Sequence, residues 1–289
     1  MKTYLDCISC FVRQGLEVAR FVSDDERVHE KVLRGVLKAA LALDFRQPPP
    51  AMGQQIHRLV RELTGREDPY REVKDSFNAF GLQLYPKLKE QIKNSDNPLE
   101  TSIRLAIAGN IIDFGPYGRI DPAQVEESIS HSLSARLSSV AVGDFRQAVG
   151  QAKEILYLAD NAGEIVFDRL LIEQLGYPKI TVSVKGSPVI NDATLEDAET
   201  AGLTELVEVI DNGSDAPGTI LEMCSERFQD RFSSADLIIA KGQGNYETLS
   251  NFPGNIFFLL KAKCPVIAKH LDVEVGSLVL QRGAGTLDT

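Results

Sequence analysis

Positive charge is in short supply in this chain: 31 Lys and Arg against 41 Asp and Glu leave a formal net charge of −10 over 289 residues. A chain of that sign lacks the diffuse field that draws proteins to nucleic-acid phosphates, and no run of Lys or Arg marks a local basic patch. Nucleic acid is therefore not an expected partner. Long apolar runs are missing too. The best, Ile256 to Ala268, is broken by Lys261 and Lys263 and falls short of the roughly 18 residues a membrane helix needs. The start, Met1-Lys2-Thr3-Tyr4-Leu5-Asp6-Cys7, has an acid at once and no apolar core before a cleavage site, so neither membrane nor secretion is expected. Only 4 cysteines occur, too few for a disulfide scaffold of this size, and a cytoplasmic location is the expectation.

Several catalytic signatures are absent as well. His29, His57, His131 and His270 are dispersed, with no HExxH or HxxxH spacing. No G-x-S-x-G elbow supports a serine hydrolase. The segment around Asp160 lacks the D-x-D of phosphatases that form an aspartyl phosphate. Cys7 and Cys10 share a helix face, but two thiolates are half a zinc site, and a redox CxxC ordinarily follows a strand. Buried structural cysteines are the expectation there.

What is present is an ordinary globular mixture, 43% apolar and 25% charged, written in two grammars. Up to about residue 150 the pattern is helical. Val28, Val32, Leu33, Val36, Leu37, Ala40 and Leu41 recur at helical spacing, Pro48-Pro49-Pro50 makes a break, and Asp96-Asn97-Pro98 reads as a cap and first turn. Helices are expected near 51–63 and 70–92. Beyond residue 150, short apolar runs at 155–158, 180–184, 207–210, 237–240, 256–259, 266–268 and 277–280 read as strands. Helical segments at 165–175 and 219–228 lie between them, the signature of βαβ units and a mostly parallel sheet. The expected architecture is α/β: a helical subdomain over 1–150 contributing to a cleft, and an α/β metal- and phosphate-binding domain over 151–289.

In open parallel sheets ligands bind at the carboxyl ends of strands, and three segments fall there. Asp160-Asn161-Ala162-Gly163-Glu164 sets two oxygen donors side by side, suited to a hard cation; the alternative is a simple helix cap. Lys185 to Thr194 adds the Asp192 carboxylate and a lysine for an anion, or else a loop with Asp192 as a cap. Lys241-Gly242-Gln243-Gly244-Asn245-Tyr246-Glu247 has the makings of an anion cradle, or of a generic tight turn. It is neither a dinucleotide fingerprint, since Glu247 stands where the third glycine would be, nor a Walker A loop.

Five motifs then carry a resemblance. They are Cys7-x-x-Cys10-x-x-Arg13-Gln14, Gly109-Asn110-x-x-Asp113-x-Gly115, Asp160-Asn161-x-Gly163-Glu164, Lys185-Gly186-x-Pro188-x-x-Asn191-Asp192-x-Thr194 and Lys241-Gly242-Gln243-Gly244-Asn245-Tyr246-Glu247. In this order they resemble the metal-dependent damage-control phosphatases (acidic-residue-methyltransferase-like, formerly a domain of unknown function), and in particular a prokaryotic branch with an N-terminal CxxC. The resemblance implies a Rossmann-like three-layer α/β/α sandwich with an N-terminal all-helical subdomain. It implies a divalent cation, Mn²⁺, Mg²⁺, Co²⁺ or Ni²⁺, on Asp160, Asn161 and Asp192. It also makes Lys241 a phosphate-binding and catalytic residue, with Lys185, Asn110, Asp113, Glu164, Gly242, Asn245 and Glu247 lining the phosphate or substrate cleft.

The implied reaction is hydrolysis of small phosphorylated metabolites, such as sugar phosphates, by a metal-activated water, with Asp113 or Glu164 as general base. Two rivals remain. An S-adenosylmethionine-dependent methyltransferase would use the same strand ends, but needs a glycine-rich first loop and an acid after the second strand. A non-catalytic metal- or sugar-phosphate-binding protein is the other.

Overall fold

The structure, a computed structural model, describes residues 1–111 and 122–283. Asp113 and Gly115 lie outside the described residues. Among the described residues seven α-helices precede the first strand: α1 (Asp6–Val22), α2 (Glu26–Leu41), α3 (Pro49–Thr64), α4 (Arg71–Lys93), α5 (Pro98–Ala108), α6 (Pro122–Ser134) and α7 (Ser139–Gln151). Their ends follow local chemistry. Asn97 caps α5, its side chain accepting from the Glu100 N–H, with Pro98 in the first turn. Pro49 and Pro50 open α3, where a missing N–H costs nothing, and Gly65 closes it in the left-handed region.

The strands are β1 (Ile155–Leu158), β2 (Ile180–Val184), β3 (Glu208–Asp211), β4 (Leu237–Lys241), β5 (Ile256–Lys261) and β6 (Leu278–Arg282). Between and after them run α8 (Glu164–Leu175), α9 (Leu195–Thr200), α10 (Glu226–Ser234), α11 (Gly242–Leu249) and α12 (Pro265–Leu271). The sheet order is β3-β2-β1-β4-β5-β6, parallel except for β6, which runs antiparallel to β5.

Alternation along the strands builds two cores. Ile155 and Tyr157 face one apolar cluster together with residues of α4, α5, α7 and α8, while Leu156 and Leu158 face another with residues of α10, α11 and α12. The result is the three-layer α/β/α sandwich. Helices α4, α5 and α7, although they precede residue 150, share a core with the strands. The first three helices enclose a separate core around Val32, Val36, Met52 and Ile56.

Two expected elements differ. Val266-Ile267-Ala268 lies in α12, not in a strand, because Pro265 starts a helix whose Ile267 and Ala268 are buried against the sheet. The helix expected over 219–228 resolves into a 3₁₀ turn at Leu221–Met223 and α10, which begins only where Ser225 supplies its cap. No helix among the described residues is long and apolar enough to cross a membrane.

Candidate active site

The chain leaves β1 towards β2 on one side of the sheet and returns through β4 on the other, so the crevice of this topology opens at the carboxyl ends of β1 and β4. Asp160 and Asn161 follow β1 there, and Gly242 follows β4. The β2 loop is stitched to them by backbone hydrogen bonds. Ala162 N–H donates to Asn191 O and Ala193 N–H to Asp160 O, each at 2.8 Å, and Asn161 pairs with Asp192 as an isolated antiparallel bridge. Residues 31 positions apart in sequence become bridge partners. Ile190, just before this stitch, sits at φ 46°, a strained position for a β-branched residue.

Around this stitch the polar side chains interlock. Asn110, from the turn after α5, and Asn161 each donate to Asp160 Oδ2 at 2.8 Å. The same two amides donate to Glu164 Oε2 at 2.7 and 2.9 Å. Gly242, at φ +78°, lies so close to Asp160 that a Cβ there would stand 1.8 Å from Oδ2, so only glycine lets the carboxylate occupy this place. Lys185 Nζ lies 3.5 Å from Asp192 Oδ2 and donates to Gly218 O.

Burial first, then the charges of Glu164 and Asp192, push the Asp160 carboxyl well above its ordinary range. Burial likewise raises Asp192, to about 6, against the pull of Lys185. Two carboxylates brought to one strand end, with too little positive charge between them, could hold a cation. The donor chemistry agrees. Asp192 Oδ2 and Asn110 Oδ1 are buried with no hydrogen-bond partner among the described residues, and both are hard oxygens of the kind Mg²⁺ or Mn²⁺ takes. No three of His, Cys, Asp and Glu converge as a ready-made metal cluster among the described residues; the set mixes two carboxylates with amide oxygens.

Comparison with known proteins identifies the family. The description damage-control phosphatase ARMT1-like domain matches residues 3–279. The chain belongs to that family. A damage-control phosphatase of Pyrococcus horikoshii is 35% identical over 289 residues, 98% of each chain. One of Archaeoglobus fulgidus is 36% identical over 281 residues, 94% of this chain and 96% of its own. A crystal structure of a Pyrococcus horikoshii protein described as DUF89 family superposes with a TM-score of 0.83 at 33% identity, over 98% of this chain and 99% of that one.

Within this member of the family, not every sequence-named residue reaches the crevice. Lys241 was expected to hold phosphate, but its ammonium is buried and donates to Glu164 Oε1 and Ala106 O, at 2.7 and 2.8 Å, and to Asp168 Oδ1. Burial works against that charge, yet the two carboxylates outweigh it and hold the lysine above its ordinary pKa. Asn245 is a brace. Its amide donates to Lys241 O at 2.8 Å and accepts from Thr219 Oγ1 at 2.7 Å. Glu247 points along α11 to Gln243, and burial raises its carboxyl to about 7. Cys10 is exposed and Cys7 only half-buried, both free, which corrects the reading of buried structural cysteines.

Four residues of this neighbourhood were not singled out from the sequence: Lys74, Asn78, Asp168 and Asp197, all buried. Asp168 Oδ1 accepts from both the Lys241 ammonium and the Tyr157 hydroxyl, the latter at 2.8 Å, and burial lifts the carboxyl to about 6. Its signal was faint: an acid one turn after Glu164, following the apolar run Ile165-Val166-Phe167.

Proposed function

We propose that this phosphatase-family member is a metal-dependent phosphomonoesterase acting on small phosphorylated metabolites, with Asp160, Asn161 and Asp192 holding the divalent cation. The observation that carries the reading is a pair of acids, half-buried Asp160 and buried Asp192, brought together by the Asn161–Asp192 bridge, with Asp192 Oδ2 and Asn110 Oδ1 left over for a cation among the described residues. Asp160, Asn161 and Asp192 would hold the ion, which when bound would supply charge for the phosphoryl oxygens and for the acidity of a water molecule.

The chain's own groups do the rest. Asn110 and Asn161 fix the orientation of Asp160 and Glu164 through four hydrogen bonds. Lys241 and Asn110 clamp opposite oxygens of Glu164, so this carboxylate is fixed in orientation beside Asp160. With the Lys241 ammonium committed elsewhere, and that of Lys185 to Gly218 O and Asp192, anion binding falls to the backbone N–H groups that open α11 at Gly242. Lys185 also disfavours the methyltransferase reading: it stands at the end of β2, where that cofactor requires an acid.

Hydrolysis of para-nitrophenyl phosphate by chelator-stripped protein, titrated with Mg²⁺, Mn²⁺, Co²⁺ and Ni²⁺, tests the proposal. Turnover is expected only with added metal, and Asp160→Ala and Asp192→Asn are expected to lower it by about 100-fold or more. Turnover that survives chelation, or full activity in Asp192→Asn, would sink it. Metal binding without turnover of any phosphomonoester would point to the non-catalytic binding protein.

A further inference from the structure

Lys74, Phe77, Asn78 and Gly81 recur at intervals of three and four along α4 and so share one face, and all four are buried. That face rests on the turn after β1. A Cβ on Gly81 would stand 3.1 Å from Gly163 O, and one on Gly163 would stand 2.8 Å from Phe77 Cβ, so helix and turn meet backbone to backbone. At the centre of the contact Asn78 spans a gap. Its Oδ1 accepts from the Gly163 N–H at 2.7 Å, and its Nδ2 donates to Asp197 Oδ1 at 2.8 Å. Asp197 is fully buried. Its other oxygen accepts the Thr194 N–H and hydroxyl, each at 2.8 Å, and pairs with Lys74 Nζ at 2.7 Å.

Gly163 belongs to the turn that carries Asp160, Asn161 and Glu164; Thr194 belongs to the loop that carries Asp192. A buried amide from the helical half of the chain therefore adds a second tie between the two loops, beside their backbone stitch. We infer that Asn78 is a positioning residue of the site. It reinforces the spacing of Asp160 against Asp192 and holds Gly163 at the positive φ from which Glu164 departs. The inference rests on the cation reading above. It needs both ends of the amide: an acceptor for Gly163 and a donor for Asp197.

The test exchanges those ends. Asn78→Asp keeps the acceptor but sets two carboxylates face to face. The double variant Asn78→Asp with Asp197→Asn restores one donor and one acceptor and leaves the buried charge count unchanged. Asn78→Ser removes the span without adding charge and reads the same quantities if Asn78→Asp does not fold. Ile92→Val, in the same helix and away from the site, reports simple loosening. For each variant, Mn²⁺ binding by calorimetry, thermal unfolding without metal, and kcat and KM for para-nitrophenyl phosphate are measured.

Asn78→Asp and Asn78→Ser are expected to weaken Mn²⁺ binding about 10–100-fold and to lower kcat more than they raise KM. The double variant is expected to recover most of the loss, while Ile92→Val lowers the melting temperature and leaves Mn²⁺ affinity alone. Wild-type Mn²⁺ affinity in the single variants, or no recovery in the double, would overturn the inference and leave the cation reading standing. Failure of the wild-type protein itself to bind Mn²⁺ would overturn both.

Discussion

Gly242 has no room for a side chain, and its lack of one shapes the site. A Cβ would lie 1.8 Å from Asp160 Oδ2, and the backbone at φ +78° already favours glycine. Gly242→Ala is therefore expected to displace Asp160 rather than unfold the protein. The backbone contributes about 1–2 kcal/mol of strain, and metal-dependent turnover is expected to fall about 10–100-fold. Turnover assays beside a thermal melt check this; full activity in the alanine variant would show that Asp160 can move without consequence. Asp160, Asn161, Asp192 and Gly242 were legible as residues because strand ends and loop composition point at them. The opposite was true of Lys241. As a residue type it reads as an anion binder, and only the fold reveals that Glu164 and Asp168 already surround it.

Between elements, α3 reaches across to the loop that follows β3. Arg58 and Gln54 donate to Asp215 at 2.6 Å, Arg61 pairs with it too, and Arg61 also donates to Pro188 O at 2.7 Å, at the start of the loop that leads to Asp192. Burial pushes the Asp215 carboxyl up, but Arg58 and its other partners outweigh it and bring it to about 2. A folded-state pKa below the ordinary 3.8 stabilises the fold above about pH 4, and that contribution is lost as pH falls towards 2. Asp215→Asn is expected to lose about 1 kcal/mol at pH 7 and to flatten the acid limb of the stability curve between pH 4 and 2. Urea unfolding at a series of pH values reads this, and an unchanged acid limb would deny the contact any weight. None of it was visible in the sequence, where Arg58, Arg61 and Asp215 are ordinary surface letters.

For the whole molecule, burying Asp192 costs stability once it ionises. Burial raises Asp192 to about 6 from 3.8, so between those values the folded state holds a proton that the unfolded state has released. The metal-free protein should lose stability through this group as pH rises from about 4 to 6, by up to about 3 kcal/mol. Asp192→Asn is expected to remove that part of the slope. Mn²⁺ at 100 times its dissociation constant is expected to stabilise the wild type by about 2.7 kcal/mol above pH 6 and the variant much less. Melting curves with Mn²⁺ or with chelator decide it; equal shifts in the two proteins would place the cation elsewhere.

By itself the sequence determined the fold class, the helical first half, most of the strands, and the three loops on which an oxygen-rich site is built. Those are local properties: period, caps and composition near a strand end survive without knowledge of the partner. Tertiary structure decided what pairing alone can decide. It set the strand order that opens the crevice between β1 and β4, turned Val266 to Ala268 into a helix packed on the sheet, and joined Asp160 to Asp192 through a two-loop stitch. It also drew Lys241 inward and brought Asn78 from α4 to the loops. A buried polar group takes its meaning from the partner that satisfies it, and here each such partner lies dozens of residues away.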